Sequence, residues 1–452
     1  MNYPIWLVPF LGGSWIIGII SIIHIFISHF AVGSGFYLAL TERKAYKEND
    51  EGIYDYLKKH TRFFVLVTSV GGAITGVGIW FSISLVSPDT ISILIQNFAF
   101  AWAWEYLFFA AELATAFAYY YTWDKVSKEV HLKLANLYLW FSVFTLVIIN
   151  GILTFMLTPG KWIQTHNWLD GFLNPTYFPS LFIRILIMLA IAGIYALVTS
   201  SRIKDDNLRE RMVKYSAKWL MPVFLAGPII GFWYFTQIPH DTIMTIANGI
   251  QTSGVGNFSI LTRATYLSLI LSGTIVVFAY LGPYLNPKGF TFGISLMFLL
   301  CAFMVTGTTE WMREMLRKPY TVYNYIYSNG VKKDDIINID KNGFLKSGKW
   351  ASACAGKTPD DIAKGQIIFR YECMSCHTTD GYRSMKKLIG TRDKDSIVGF
   401  LNLLRQTEAG KNPYHGIMPP FAGDDEDIQL LANYLYSINN PTNASDHKIS
   451  SR

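Results

Sequence analysis

The chain has 452 residues, of which 51% are hydrophobic and 15% aromatic, while only 16% carry a charge. This composition argues against an ordinary soluble enzyme and is typical of a membrane protein. The net charge of +7 does not indicate nucleic-acid binding, because most of the excess Lys and Arg falls in short loops between apolar stretches.

Eight apolar stretches are long enough to cross a bilayer, since about 20 residues of helix span roughly 30 Å of hydrocarbon. They cover approximately residues 15–40, 63–86, 98–122, 132–157, 180–199, 219–236, 259–281 and 289–310. The first is not expected to be a cleaved signal peptide, because residues 1–13 contain no basic residue and no small-residue cleavage site follows. The sequence therefore predicts an all-α, polytopic membrane helix bundle within residues 1–328.

The distribution of basic residues predicts the orientation of the bundle. The loop after the first stretch and the loop after the fifth are both rich in Lys and Arg, whereas the alternate loops at 87–97, 158–178 and 237–258 contain only Lys161. Positively charged loops stay in the cytoplasm. Both termini are therefore predicted to be periplasmic in a prokaryotic inner membrane.

A few ionisable residues fall inside the apolar stretches, where each is costly and therefore indicates a cofactor, a pathway or a partner. They are His24, His29, Glu105, Glu112, Arg184, Arg263, Glu310 and Glu314. Most belong to the outer half of the membrane. An intramembrane imidazole is a natural ligand of haem iron, and Arg184 and Arg263 are natural partners for haem propionates. An interhelical hydrogen bond is the alternative role for a single intramembrane histidine.

His24 and His29 cannot both face one haem squarely. They are five positions apart, which corresponds to about 140° around a helix at roughly 100° per residue. One of the two is therefore expected to have a different role.

The soluble tail contains Cys373-Met374-Ser375-Cys376-His377. Two thiols at this spacing form thioethers to the vinyl groups of a haem, and the adjoining imidazole ligates its iron. The motif predicts a covalent haem c in residues 355–452. Residues 329–354 are polar, rich in lysine and without periodicity, which predicts a linker. We expect no disulfide between Cys301 and Cys354, because Cys301 falls within the bilayer.

The residues around this motif resemble a class I cytochrome c domain over about residues 355–440. A short helical stretch with Gly365 and Phe369 precedes the motif, and an amphipathic stretch with Leu431, Tyr434 and Leu435 ends the domain. Met418 lies between them in a Pro-rich loop, Gly416-Ile417-Met418-Pro419-Pro420-Phe421, and its thioether is the favoured sixth iron ligand. His415, three residues earlier, is the alternative ligand.

The membrane portion resembles the large haem-bearing subunit of the cytochrome bd oxygen reductases over about residues 10–325. The matching positions are His24, Gly33 and Glu42, then Glu112 with Trp123-Asp124, Lys125 and His131, then Asn150-Gly151, and finally Glu314-Met315-Leu316-Arg317-Lys318-Pro319-Tyr320. The last run is similar to the family signature Glu-x-Gly-Arg-Gln-Pro-Trp.

This resemblance implies roles for several of the membrane residues. His24 would be the axial ligand of an active-site haem, Glu314 the ligand of a high-spin haem b, and Arg317 a propionate-binding residue. Glu112 and Glu105 would supply protons or stabilise the oxygen-binding haem, although Glu105 is one residue out of step with the family pattern. The non-covalent cofactors would be haem b, haem d or both, and a second hydrophobic membrane subunit would be the partner.

The departures from the family concern quinol oxidation. Arg184 and Thr265 stand where the family has the His and Met ligands of its low-spin haem b. The loop that binds quinol in the family is here only about twenty residues long, at 237–258. These losses predict a terminal reductase that accepts electrons from a periplasmic cytochrome c, or another soluble donor, through its own haem c and reduces oxygen to water. The alternatives are a non-catalytic electron-transfer subunit and a nitric oxide reductase acting at the same haem site.

Overall fold

The structure, a computed structural model, describes residues 5–243, 257–348, 351–355, 360–408 and 411–440. The chain divides into two compact units. We call Ile19–Trp80 with Ile93–Leu316 the membrane unit, and Met1–Gly18 with Phe81–Ser92 and Arg317–Arg452 the cytochrome unit.

Most of the described residues are helical, and the helices of the first 317 residues are long. In chain order they are α1 (Gly13–Glu48), α2 (Glu51–Val86), α3 (Pro88–Asn97), α4 (Ala99–Tyr121), α5 (Lys128–Phe155), α6 (Trp162–Thr165), α7 (Trp168–Phe172), α8 (Tyr177–Ser200), α9 (Asp206–Lys218), α10 (Met221–Thr236), α11 (Asn257–Ala279) and α12 (Phe292–Arg317). Side chains that favour helix starts precede several of them: Asp50 accepts a hydrogen bond from the Ile53 amide before α2, and Ser127 accepts one from the Val130 amide before α5.

The described residues contain seven helical segments long and apolar enough to span a membrane. They are α1, α2, α5, α8, α9 together with α10, α11 with its π-helical extension to Tyr284, and α12. The predicted stretch at 98–122 corresponds to α4, which is helical over 23 residues but is not among the seven. It contains two glutamates and many Trp and Tyr residues, which lower its hydropathy. The all-α membrane bundle is confirmed, with a helix count close to the prediction.

The core of the membrane unit is formed where α1 packs closely against α8. Gly33 faces the backbone carbonyl of Met188, so closely that a side-chain carbon at position 33 would collide with it. Small residues allow this backbone approach between membrane helices. Aromatic side chains fill the adjoining space, and the Phe30 and Tyr195 rings stack with centroids 3.9 Å apart. This packing fixes the rotation of α1, which carries both intramembrane histidines.

A π-helical turn interrupts α2 at Leu66–Gly72. Such turns are rare and often occur at functional sites, because they shift the side chains that follow. Thr75 and Gly76 lie three and four residues after this turn. Thr75 hydrogen-bonds to His24 of α1, and a side-chain carbon at Gly76 would be 3.2 Å from the His24 ring.

The cytochrome unit consists of short helices and one small hairpin. Its strands are β1 (Tyr320–Val322) and β2 (Ile326–Tyr327), which are antiparallel, and its helices are α13 (Ile336–Asn342), α14 (Phe344–Ser347), α15 (Ala351–Ala355), α16 (Asp361–Glu372), α17 (Met385–Ile389), α18 (Lys394–Arg405) and α19 (Asp425–Asn439). The predicted crossing of the first and last cytochrome helices is present. Gly365 of α16 lies against the Leu430 carbonyl of α19, and the Phe369 and Tyr434 ring centroids are 5.5 Å apart.

Residues 329–354 differ from the predicted linker, because much of the segment folds into the core of the cytochrome unit. Ile336, Ile339 and Phe344 are buried there. The Phe344 amide donates to Asp427 Oδ2 at 2.5 Å, which ties the start of α14 to α19. Three apolar residues on short helices are too few to produce a periodic signal, so the polar composition of the segment dominated the prediction.

The segment before α1 packs on the haem-binding part of the cytochrome unit. Arg370 Nη2 donates to the Ile5 carbonyl at 2.7 Å, and the Tyr382 amide donates to the Phe10 carbonyl at 2.9 Å. Gly381 lies so close to the Phe10 backbone that no side chain fits at position 381. The first turn of α1 is also held, since Ser14 Oγ donates to the Ser375 carbonyl at 2.7 Å.

Candidate haem sites

The Cys373–His377 motif begins where α16 ends, and its side chains are half-buried. His377 Nδ1 lies 3.2 Å from the Arg383 carbonyl, to which it can only donate. That hydrogen bond leaves Nε2 with a lone pair for a metal, which is the usual arrangement of a histidine ligand. Burial lowers the pKa of His377, which favours the neutral imidazole that binds iron. The residues therefore fit a haem iron at this position.

The two cysteines have different surroundings before haem attachment. Burial raises the pKa of the Cys373 thiol, and the neighbouring Glu372 adds to this effect. Burial also acts to raise the pKa of Cys376, but Lys318, whose Nζ is 3.8 Å from Cys376 Sγ, and hydrogen bonds from serines lower it overall. Cys376 is thus the thiol that ionises more readily.

Met418 and His415, the two candidates for the sixth iron ligand, differ in exposure. Met418 is half-buried and its amide donates to the Tyr414 carbonyl at 3.1 Å, whereas His415 is exposed. A half-buried thioether in a hydrogen-bonded loop suits a haem ligand better than an exposed imidazole does, so Met418 stays our prediction.

His24 is positioned by a chain of hydrogen bonds from α2. Thr75 Oγ1 donates its hydrogen to the Gly71 carbonyl at 2.6 Å. His24 Nδ1 lies 3.0 Å from Thr75 Oγ1 and donates to it. His24 Nε2 is then the acceptor nitrogen, as an iron ligand requires. A side-chain carbon at Gly76 would come within 3.2 Å of the imidazole. The local residues therefore fit an axial haem ligand.

The two glutamates of α4 occupy different environments. Glu112 is buried, and Tyr138 Oη is 3.3 Å from its Oε1 and donates to the Ala31 carbonyl at 2.8 Å. Glu105 is only half-buried. Glu112 is therefore the better placed of the two for holding a proton away from solvent.

The remaining predicted residues are distributed over both units. Arg184 is buried in the membrane unit, where its Nε donates to Ser180 Oγ at 3.4 Å. Arg263 is exposed on the same unit, which does not match the expectation of a buried charge. Glu314 is half-buried on α12. Arg317 belongs to the cytochrome unit and its Nη1 is 3.5 Å from the Thr321 carbonyl.

A buried network around Glu42 was not assigned a role from the sequence. The carboxylate is fully buried, and it accepts from Tyr46 Oη at 2.6 Å, Tyr119 Oη at 2.8 Å and His131 Nδ1 at 2.8 Å. His131 Nε2 is also 3.0 Å from the Tyr119 carbonyl. Glu42 and His131 were noted from the sequence only as positions that match the family. Their contact could not be predicted, because the network joins three different helices.

Glu372, next to the first haem-binding cysteine, was also missed. Asn329 Nδ2 donates to its Oε2 at 2.8 Å, while its Oε1 has no hydrogen-bond partner within the described residues. Burial raises the pKa of Glu372 well above its ordinary value, and the nearby Asp427 and Asp340 add to this shift. A neutral carboxylic acid therefore lies beside the attachment site.

Comparisons with known proteins match two separate parts of the chain to two different families. Residues 14–247, just over half of the chain, match the family model of cytochrome bd terminal oxidase subunit I, and residues 362–439 match that of cytochrome c. The structure of bd oxidase from Geobacillus thermodenitrificans contains a chain with a TM-score of 0.56 and 15% sequence identity, over 68% of this chain and 87% of that chain. This likeness supports the fold. No curated protein matches the sequence.

Proposed function

Because the chain belongs to the cytochrome bd terminal oxidase subunit I family, we propose that it is the haem-bearing subunit of a terminal reductase that reduces oxygen to water. Electrons would come from a periplasmic cytochrome c, or a similar soluble donor, and enter through the chain's own haem c. The cytochrome unit and both termini would face the periplasm, and a second hydrophobic subunit would complete the complex.

The observation that carries this proposal is the presence of two prepared imidazole ligands, one in each unit. His377 donates through Nδ1 to a backbone carbonyl, and His24 donates through Nδ1 to Thr75, so each leaves Nε2 for iron. The first site would hold its haem covalently, and a thioether from Met418 would close it to other ligands, which suits electron transfer. At the His24 site no residue is predicted to close the position opposite the imidazole, so this site suits the binding of a gas.

Electron entry from quinol has little support in this chain. Thr265, which stands at a ligand position of the family, donates its hydroxyl to the Leu261 carbonyl at 2.9 Å and lies 3.0 Å from Met312 Sδ. Arg184 cannot ligate iron, since a guanidinium has no available lone pair. The short loop at 237–258 lies mostly outside the described residues. A haem c within the same chain supplies the alternative entry.

The membrane residues would divide the remaining work. The non-covalent haems, of b type, d type or both, supply oxygen binding and electron transfer when bound. His24 and Glu314 would hold iron, and Arg317 would bind a propionate. Glu112 would hold a proton at its carboxyl group beside Tyr138, and this proton would be available to the reaction, with Glu105 in a supporting role.

A non-catalytic electron conduit is the second candidate. The changed low-spin ligand positions at Arg184 and Thr265, and the half-buried position of Glu105, favour a chain that passes electrons from haem c to a partner. In a variant of the first proposal, the electron acceptor at the His24 haem is nitric oxide instead of oxygen.

Oxygen consumption by the purified full-length complex, with a reduced soluble cytochrome c as donor, separates these functions. We expect turnover in the wild type, and its loss in His24→Ala with unchanged reduction of haem c. Rapid reduction of haem c without consumption of oxygen would reject the oxidase proposal; parallel consumption of nitric oxide would then identify the other acceptor, and its absence would favour the conduit. Turnover that survives His24→Ala would remove His24 from the active site.

A further inference from the structure

His29, the second histidine of α1, has a buried nitrogen without a partner. The residue is 7% exposed. Its Nδ1 lies 2.6 Å from the Ile25 carbonyl, to which it donates, so Nε2 carries the lone pair. Within the described residues, Nε2 has no hydrogen-bond partner. Buried polar atoms are almost always paired, so the lone pair of this nitrogen is available to a ligand. The same is true of His60 Nε2, so a second group beside His29 has to identify the ligand.

A buried cation lies within electrostatic range of the same histidine. Arg184 is 8% exposed. It lies one helical turn before Met188, as His29 lies one turn before Gly33, where α1 and α8 touch. Arg184 acts electrostatically on His29 together with Arg313 and Glu310. Arg313 has its own partner, since its Nη2 donates to Glu310 Oε2 at 2.8 Å and its Nε to the same oxygen at 3.1 Å. Arg184 has no carboxylate at ion-pair distance among the described residues, and its hydrogen bond to Ser180 Oγ is long at 3.4 Å. Glu310 acts electrostatically on Arg184, but its carboxylate is hydrogen-bonded to Arg313. Arg184 can therefore still accept an anionic group as a direct partner.

One class of ligand can pair with both His29 Nε2 and the Arg184 guanidinium. A haem offers an iron that accepts the lone pair of an imidazole and propionate carboxylates that bind arginine. A neutral donor such as water or a hydroxyl would satisfy His29 Nε2 alone and leave Arg184 without its anion. A free anion would pair with Arg184 but cannot accept a lone pair from the imidazole.

We propose that His29 Nε2 is an axial ligand of a further non-covalent haem, separate from the haems assigned to His24 and Glu314, and that Arg184 binds one of its propionates. The two histidines point about 140° apart around α1, which requires separate haems. The family has an iron-ligating His at the position of Arg184. In this chain the same position would instead bind a haem propionate. The inference rests on the proposed function only in assuming that the membrane unit binds haem.

The test counts haems in the purified full-length complex. The ratio of non-covalent to covalent haem, from acid-acetone extraction and pyridine haemochrome spectra, is compared among the wild type, His29→Ala, His24→Ala and His60→Ala. His60 is a matched control: it is 1% exposed, its Nδ1 is 2.8 Å from Thr199 Oγ1, and its Nε2 also has no partner within the described residues. Its ring lies among aromatic side chains rather than beside an arginine, with the Tyr37 centroid 5.2 Å away.

We expect His29→Ala to lose one non-covalent haem per haem c, His24→Ala to lose a different one by its spectrum, and His60→Ala to lose none. An unchanged ratio in His29→Ala, or the same loss in His60→Ala, would overturn the inference. If the only non-covalent haem disappears with His24→Ala, the inference fails while the proposed function stands. If the wild type contains haem c alone, both fail.

Arg184→Gln gives a second test that does not depend on the stability of His29→Ala. Removing a buried positive charge disfavours the reduced haem, so the midpoint potential of one non-covalent haem should fall while that of haem c stays constant. Unchanged potentials of all haems in Arg184→Gln would contradict the placement of a propionate at this residue.

Discussion

The two units present haem-binding groups in contrasting ways. In the cytochrome unit the predicted ligands lie within one short run, Cys373 to His377, and one loop with Met418. In the membrane unit His24 depends on Thr75 of another helix, and His29 lies near Arg184 of a third. A covalently attached cofactor needs only local spacing, whereas a cofactor held by buried side chains needs helices that pack precisely. The same difference decides how mutations should act on each unit.

Removal of the covalent attachment should have the largest effect. Cys376→Ser deletes one thioether, so we expect loss of most haem c and of oxygen consumption driven by reduced cytochrome c. The membrane haems should remain and should still bind carbon monoxide after dithionite reduction, because their ligands are in the other unit. Haem-stained denaturing gels and oxygen electrode traces measure the two effects. Full turnover without haem c would show that electrons enter elsewhere.

Removal of the group that orients His24 should have the next largest effect. Thr75→Val keeps the shape of the side chain but removes the oxygen that accepts from His24 Nδ1. Loss of such a supporting hydrogen bond typically costs about 10- to 100-fold in metal affinity or activity. Thr75→Ser, which keeps the hydroxyl, is the matched control. Equal retention of haem and equal turnover in both variants would indicate that Thr75 does not orient a ligand.

Removal of the sixth ligand of haem c should change the midpoint potential of this haem but should not detach the haem from the chain. Met418→Ala should leave the haem covalently bound, lower its midpoint potential and let carbon monoxide bind to it, because a thioether raises the potential and closes the site. Redox titration of the α-band measures this change. His415→Ala serves as the control and should behave as the wild type does. The reverse result would make His415 the ligand.

The smallest expected effect concerns the buried acid beside the attachment site. Glu372 has a pKa raised above its ordinary value of 4.5 by burial. As the pH rises above 4.5, the unfolded chain loses this proton while the folded chain keeps it, so the cytochrome unit should lose stability with rising pH. Glu372→Gln should be less sensitive to pH in thermal unfolding followed at the haem c Soret band.

The exposed Glu408 provides the control for that measurement, and Glu408→Gln should retain the pH dependence of the wild type. Parallel curves for the wild type and Glu372→Gln between pH 5 and pH 8 would contradict a buried neutral acid at this position.

The sequence predicted the fold class and the cytochrome c domain, because both depend on short-range signals. The length of the apolar stretches identifies the membrane helices, and the spacing Cys-x-x-Cys-His predicts covalent haem attachment. The packing of Ile336 and Phe344 into the cytochrome unit was not predicted, since the segment lacks a periodic pattern. Neither was the attachment of Phe10 and Ser14 to residues more than 360 positions later.

The membrane site was predicted only as a set of candidate residues. Sequence spacing indicated that His24 and His29 face different directions, but not which groups each one meets. The Thr75 contact depends on the π-helical turn of α2, and the isolation of His29 Nε2 depends on packing among several helices. Arg263 is exposed on α11, although its position in an apolar stretch suggested burial; its role as a propionate partner stays a prediction.

The most direct test of the account is a carbon monoxide difference spectrum of the dithionite-reduced wild-type complex. We predict a photodissociable carbon monoxide adduct at a non-covalent haem, with the haem c bands unchanged because Met418 closes that iron. A sample in which no non-covalent haem binds carbon monoxide would contradict the central claim that electrons from haem c reach a gas-binding haem among the membrane helices.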